Sequence, residues 1–223
     1  MKLFVWDYHG TLEKGNERGA LEISNEVLQH FGYAQRFSAK DSIDLYGLKW
    51  YQYFEYLLPG EPHERHVELQ HACFEWPEAE AIVARYIQQN DHAAEVLGAI
   101  RAHGDAQMLI SNTSDRALPI FVRLVGLQDY FDASNAFAVA GHTRDVLRTK
   151  RHVLDEYIAR IGQSDEIVLV GDSQSDMEII TGDNVAGYWY RHPELPMAAT
   201  DNPRIRPIND LRDVLHELNK ETD

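Results

Sequence analysis

Short apolar runs that end in polar residues or glycine alternate along this chain with amphipathic stretches, and the two periods predict different elements. Lys2-Leu3-Phe4-Val5-Trp6 is β-branched and aromatic and runs straight into Asp7-Tyr8-His9-Gly10-Thr11-Leu12. It reads as a buried parallel strand. Glu13 to Gly19 is polar and carries two glycines, which predicts a hinge or loop. From Ala20 to about Gln89 the period is helical. Leu21, Ile23, Val27, Leu28 and Phe31 mark a first apolar face closed by Gly32. A second helical segment starts between Ser38 and Ser42, carries Leu45, Leu48, Trp50, Tyr51, Tyr53, Phe54 and Tyr56, and stops at Leu57-Leu58-Pro59-Gly60. A third runs from about Pro62 to Phe74, and a fourth from Glu78 to Gln89.

The second half alternates between the two periods. Ala93 to His103 predicts a helix stopped by Gly104, and Gln107 to Ile110 a strand ending at Ser111-Asn112-Thr113-Ser114. Arg116 to Val125 predicts a helix, Ala136 to Ala140 a strand, and Thr149 to Ile161 a helix stopped by Gly162. Glu166 to Val170 is the clearest strand and ends at Gly171-Asp172-Ser173-Gln174-Ser175-Asp176. A helix from Met177, a strand from Val185 to Tyr190 and a last helix from about Asp210 to Leu218 complete the pattern. Such alternation implies an α/β fold, a doubly wound parallel sheet. The helical stretch has enough apolar residues for its own small core. The expected division is 1–15 with 92–223 as the sheet domain and 16–91 as an inserted helical domain, joined by linkers near Glu13 to Gly19 and Gln89 to Ala93.

Composition narrows the function. The chain has 223 residues, is 44% hydrophobic, and has no apolar run long enough to span a bilayer. Its formal charge of −15 makes nucleic acid or an anionic membrane an unsuitable partner. A phosphorylated ligand would need a local cation, most simply a divalent metal with a lysine. The sole cysteine, Cys73, excludes an internal disulfide, reads as a small buried helix residue, and suits a cytoplasmic location. His63, His66 and His71 invite a metal reading, but no carboxylate or cysteine framework completes a site, so solvated helix histidines are expected. The aromatic cluster from Trp50 to Tyr56 serves either as a pocket wall or, more commonly, as helix-packing core.

Right-handed crossovers place the carboxyl ends of parallel strands on one edge of the sheet, where ligands bind. Asp7, Ser111-Asn112, and Asp172 with Asp176 therefore converge. Gly10 allows close approach of the backbone to a ligand. Carboxylate oxygens are hard ligands that suit Mg²⁺ and phosphate chemistry, and Lys150 adds a positive charge. Each residue also has a plainer structural role available. Asp176 can cap a helix, and Ser111 and Thr113 can be turn residues.

These segments resemble, in order, the four motifs of the haloacid dehalogenase-like superfamily. Asp7-Tyr8-His9-Gly10-Thr11-Leu12 is similar to its Asp-x-Asp-Gly-Thr motif, Ile110-Ser111-Asn112 to the second, Lys150 to the third-motif lysine, and Gly171-Asp172-Ser173-Gln174-Ser175-Asp176 to the acidic fourth. The resemblance implies a Rossmann-like core with a helical cap between the first two motifs. It makes Asp7 the nucleophile of an aspartyl-phosphate reaction. Asp7, the His9 carbonyl, Asp172 and Asp176 would hold Mg²⁺. Ser111 and Asn112 would bind the phosphoryl oxygens, with Gly10 and Thr11 beside them, and Lys150 would screen charge.

Two departures stand out. The family usually follows its lysine with proline, whereas Arg151 follows here, which keeps Arg148 and Arg151 in view as substitutes. Phosphatases of the family carry a second aspartate, the general acid and base, where this chain has His9. Histidine performs both proton transfers in other settings. The implied function is a Mg²⁺-dependent phosphohydrolase of a small phosphorylated metabolite with His9 as acid/base. The alternatives are a catalytically impaired relative that binds a phosphorylated ligand, or a dehalogenase or phosphonatase variant. Dehalogenases lack the paired acidic motif kept here, and a phosphonatase needs a reactive cap lysine, for which Lys40 and Lys49 are the candidates. Substrate identity and oligomeric state are not legible.

Overall fold

The computed structural model describes residues 1–139, 149–162, 166–180, 184–193 and 195–220. Two compact units are present, one built from 1–13 and the described residues from 89 onward, the other from Lys14–Gln88. In chain order the elements are β1 (Lys2–Trp6), β2 (Glu13–Lys14), α1 (Asn16–His30), α2 (Asp41–Asp44), α3 (Trp50–Leu57), α4 (His63–Phe74), α5 (Ala79–Val83), β3 (Gln88–Gln89), α6 (Ala93–His103), β4 (Ala106–Ser111), α7 (Ala117–Leu124), β5 (Ala136–Ala138), α8 (Lys150–Ile161), β6 (Glu166–Gly171), α9 (Gln174–Met177), β7 (Val185–Tyr190) and β8 (Ile205–Ile208), followed by a 3₁₀ helix, Leu211–Asn219.

The first unit is built on a six-stranded sheet in the order β5-β4-β1-β6-β7-β8, with every adjacent pair parallel. Val5 lies opposite Met108 on one side and Leu169 on the other. All five residues of β1 are buried, because helices cover both faces of a parallel sheet. Alternation divides them. Leu3 and Val5 join Met108, Ile110, Ile167 and Leu169 in a core with Val153, Leu154 and Tyr157 of α8. Trp6 points the other way, where its Nε1 donates to Gln107 Oε1 at 3.2 Å and Gln107 Nε2 donates to the Leu97 carbonyl of α6 at 3.0 Å. From β1 the chain builds β4 and β5 on one side, then returns to build β6, β7 and β8 on the other. The order therefore reverses at β1, and such a reversal opens a crevice at the strand ends.

Several sequence expectations need correction. Residues 16–19 are the first turn of α1 and not a loop. Gly19 sits there because a Cβ would lie 3.3 Å from the Val83 Cα, so the glycine lets α1 pack tightly on α5. The second helical segment is two helices, α2 and α3, broken where Gly47 takes a φ of 81°. The fourth stops at Val83, and Gln88–Gln89 instead pairs with Glu13–Lys14 as a two-stranded sheet. Met177 ends α9 and does not begin it. Strand β8 was hidden by Pro207, which sheets tolerate on an edge strand such as this one. The end of the strand expected over Ala136 to Ala140 lies outside the described residues.

Within the second unit the aromatic cluster is mainly core. Tyr53 and Phe54 are buried, and both meet Phe37 edge-on, while Tyr56 is exposed. His66 is buried and not solvated, with Nε2 2.9 Å from the Leu58 carbonyl. His63 pairs with Glu55 at 2.8 Å, and neither belongs to a group able to hold a metal among the described residues. No helix among the described residues is long and apolar enough to cross a membrane.

Candidate active site

The turn after β1 is wound around one carbonyl. The amides of Thr11, Leu12 and Glu13 all donate to Tyr8 O, at 3.2, 3.0 and 3.3 Å. That tight winding requires the positive φ of 78° at Gly10. Asn90, itself buried, ties the turn to the returning chain: its Nδ2 donates to Thr11 O at 2.7 Å and its amide to Leu12 O at 3.0 Å. Asp7 is fixed from the other side, its amide donating to Val170 O of β6 at 2.8 Å.

Three buried carboxylates, Asp7, Asp172 and Asp176, each offer an oxygen within 4.8 Å of the others. Lys150 reaches into them from the first turn of α8, with Nζ 2.5 Å from Asp7 Oδ1 and 2.6 Å from Asp176 Oδ1. A cation at a helix N-terminus opposes the helix dipole, and burial also works against its charge. The carboxylates of Asp176 and Asp7 outweigh both and hold the ammonium above its ordinary pKa. Arg151 faces elsewhere, pairing with Asp155 and the Ile179 carbonyl, and Arg148 lies outside the described residues.

Burial, then the Asp176 charge, pushes the Asp7 carboxyl up, with Lys150 opposing. Asp172 is pushed well up by burial and then by Asp7 and Asp176. Unit charges about 4 Å apart interact by about 4 kcal/mol at an effective dielectric of ~20. A single ammonium therefore leaves the cluster with an excess of negative charge. Three hard oxygen donors with that excess fit a divalent cation.

Asp176 does two jobs. Its Oδ2 accepts from the Ser173 amide at 3.1 Å and from Ser173 Oγ at 2.6 Å, while its own amide donates to Ser173 Oγ at 3.3 Å. This reciprocal cap closes the turn after β6, and the other oxygen remains on Lys150. Gly171 makes room for it, since a Cβ there would lie 2.5 Å from the Asp176 Cβ. Trp189 on β7 steadies the same turn, its Nε1 donating to the Asp172 carbonyl at 2.9 Å.

Ser111 ends β4, next to β1. Its hydroxyl is buried with no hydrogen-bond partner, an orphan that calls for a ligand. Asn112 follows and is exposed, whereas Thr11 is fully buried with an orphaned Oγ1. His9 is one-quarter exposed, and its Nδ1 lies 2.8 Å from Glu13 Oε1. Glu13, Asn90, Ser173 and Trp189 also shape the site, beyond the residues the sequence motifs mark. Asn90 and Trp189 act across long sequence separations, and no local pattern marks them. The local hints are the spacing of Glu13, four residues after His9, and of Ser173, three residues before Asp176.

The fold has well-covered counterparts. The chain is similar to Protein Tyrosine Kinase A of Mycobacterium tuberculosis, at 18% identity and a TM-score of 0.68 over 98% of each chain. It is also similar to a subfamily IA, variant 1 HAD-superfamily hydrolase from Geobacter sulfurreducens, at 17% identity and a TM-score of 0.66 over 98% of this chain and 96% of that one. A predicted phosphoglycolate phosphatase from Haemophilus somnus matches at 14% identity and a TM-score of 0.66 over 84% of each chain. Identities so low show the shared fold alone. No curated protein matches the chain as a relative. The model of one family, described as haloacid dehalogenase-like hydrolase, matches residues 1–181, a span that takes in β1, the Asp7 turn, Ser111, Lys150, Asp172 and Asp176. The chain therefore belongs to the haloacid dehalogenase-like hydrolases.

Proposed function

We propose that this hydrolase removes phosphate from a small phosphorylated metabolite, with Asp7 as nucleophile and His9 as acid and base. The observation that carries the reading is the contact of Lys150 with Asp7 inside three buried carboxylates at the strand ends. The orphaned hydroxyl of Ser111 on the adjacent strand supports it, as does the activity named for the Haemophilus somnus relative, a phosphatase.

In the first half-reaction an Asp7 carboxylate oxygen bonds to phosphorus, and the bond from phosphorus to the leaving oxygen breaks. His9 gives that oxygen its proton. In the second half, water attacks phosphorus and gives a proton to His9, and Asp7 is released as a carboxylate. Splitting the reaction this way replaces one hard displacement with two easier ones. Lys150 holds Asp7 in place and screens the anionic phosphoryl group from it. Ser111 Oγ and Asn112 donate to the phosphoryl oxygens, with the Gly10-Thr11 backbone alongside.

Asp7, the His9 carbonyl, Asp172 and Asp176 are the groups that would hold Mg²⁺, which when bound offsets the charge of the phosphoryl oxygens. Residues 16–91 are assigned the part of a cap that chooses the substrate and excludes water. Of the two candidate cap lysines, Lys40 gives a phosphonatase reading no support: it is exposed and paired with Asp44 at 3.2 Å, a contact that favours its charged form. Acid quenching during turnover tests the reading. Phosphate should be found on the peptide that contains Asp7 and be lost in Asp7→Asn. Label on any other residue would refute it.

A further inference from the structure

His9 is held by a second carboxylate that belongs to none of the four motif segments. Glu13 is completely buried, and its Oε1 lies 2.8 Å from His9 Nδ1. The Gly10 amide donates to the same oxygen at 3.3 Å, and the backbones of His9 and Glu13 form an isolated parallel bridge. Two aromatic rings fix the imidazole plane: Tyr8 meets it edge-on at 5.0 Å between centroids and Phe121 of α7 at 5.5 Å. The ring is thus gripped by a carboxylate at one nitrogen and by rings on its flanks.

The Gly10 amide donates to the same Oε1, so that oxygen acts as an acceptor here, and the geometry points to Nδ1 as the nitrogen that carries the hydrogen of the contact. That leaves Nε2 as the nitrogen that exchanges protons. The need for such a device follows from the chemistry at position 9. A carboxylate has two equivalent oxygens, and either can serve. Imidazole has two inequivalent nitrogens, and which one is protonated is set by the bond the other makes.

We propose that Glu13 is a positioning residue for His9, fixing its ring and tautomer so that Nε2 delivers and retrieves the catalytic proton. The inference rests on the acid/base reading of His9. In the cleavage step the Asp7–phosphorus bond forms, and the bond to the leaving oxygen breaks with its electron pair on that oxygen. The Nε2 proton moves to the leaving oxygen, and the imidazole left behind keeps its Nδ1–H on Glu13. In hydrolysis the water oxygen bonds to phosphorus and its proton goes to Nε2. The phosphorus–Asp7 bond then breaks with its pair on Asp7, so that ester and water become alcohol and phosphate.

The test has a spectroscopic arm and a kinetic arm, both on the full chain. Long-range ¹H–¹⁵N spectra of histidine-labelled protein, with His9 assigned by the signals missing in His9→Gln, should show a protonated Nδ1 in the wild type. Glu13→Ala should shift that ring toward the Nε2–H tautomer. A bare Nδ1 in the wild type would overturn the proposal, and this readout needs no variant of Glu13 to fold. For the kinetic arm, kcat/KM, which reports the steps up to departure of the leaving group, is compared between an alkyl phosphate, which needs a proton on its leaving oxygen, and dinitrophenyl phosphate, which does not. Glu13→Gln and Glu13→Ala should lower kcat/KM about 10- to 100-fold on the alkyl ester and only a few-fold on the aryl ester. A merely structural role would lower both alike. If His9→Gln leaves the ratio of the two substrates unchanged, the reading of His9 itself fails. If His9→Gln changes that ratio while the Glu13 variants do not, the positioning role alone fails.

Discussion

Lys150 Nζ and Asp7 Oδ1 are 2.5 Å apart, and both side chains are about nine-tenths buried. The pair bridges α8 and the end of β1, positions 143 residues apart in sequence. Removing the ammonium leaves three buried carboxylates with no cation between them. Breaking a buried ion pair from one side is typically destabilising by about 3–5 kcal/mol. Lys150→Met is therefore expected to lower the melting temperature of the metal-free protein clearly, and to reduce kcat by about 10²- to 10³-fold, the usual loss when a preorganised electrostatic group is removed. Calorimetry and phosphatase assays on the same preparation check both. Unchanged kcat would place the charge-screening role elsewhere.

The raised carboxyls make stability depend on pH in a definite direction. A carboxyl whose folded pKa is raised contributes stability below its ordinary value of about 3.9, and that contribution is lost as the pH rises through the raised value. Asp172 is such a group, raised by burial and then by Asp7 and Asp176. In chelator, Asp172→Asn should melt above the wild type at neutral pH, and the gap should close in acid. For a chain of this size each kcal/mol is worth about 2–4 °C. Added Mg²⁺ should raise the wild-type melting temperature, since a ligand that binds the folded state stabilises it. The variant should respond far less. A wild type that melts above Asp172→Asn at neutral pH without metal would contradict the electrostatic account.

Gly171 is under steric constraint from the carboxylate five residues on. A methyl group there would sit 2.5 Å from the Asp176 Cβ, close to the backbone, where the side chain cannot swing aside. Gly171→Ala should displace Asp176 from Lys150 and from its cap on Ser173, with a loss of about 1–3 kcal/mol in denaturant unfolding. It should also reduce phosphatase activity. Activity and stability both at wild-type levels would show that the turn has slack.

Cys73 tests the burial pattern of the second unit. It is fully buried, and burial pushes its thiol pKa far above the ordinary value. Iodoacetamide should leave it unmodified in the native protein at mildly alkaline pH and alkylate it fully in denaturant, as measured by intact mass. Rapid native alkylation would contradict the packing of α4.

What sequence makes legible here is what periodicity encodes. Strands β1, β4, β6 and β7 stand out because apolar runs bounded by glycine and acidic residues have few other readings, and their ends locate Asp7, Ser111 and Asp172. Lys150 lies where a helix start was expected. Elements whose cause is a distant partner were not legible. Gly19 looks like a hinge residue until Val83 is seen packed against it. Pro207 argues against a strand until its place at the sheet edge is known. Sequence alone allows Asp176 as either a cap or a site residue, and its two oxygens serve the Ser173 cap and Lys150 together. Glu13 lies in a polar, glycine-bearing stretch that has the pattern of a hinge, although its side chain turns back to His9.

The most direct measurement is hydrolysis of a generic aryl phosphate by the wild type and by Asp7→Asn, each with Mg²⁺ and with chelator. The account predicts turnover by the wild type with Mg²⁺ and a loss of nearly all of it when either the metal or the Asp7 carboxylate is removed. Undiminished turnover in Asp7→Asn, or in chelator, would contradict the claim that Asp7 and its carboxylate neighbours carry the reaction.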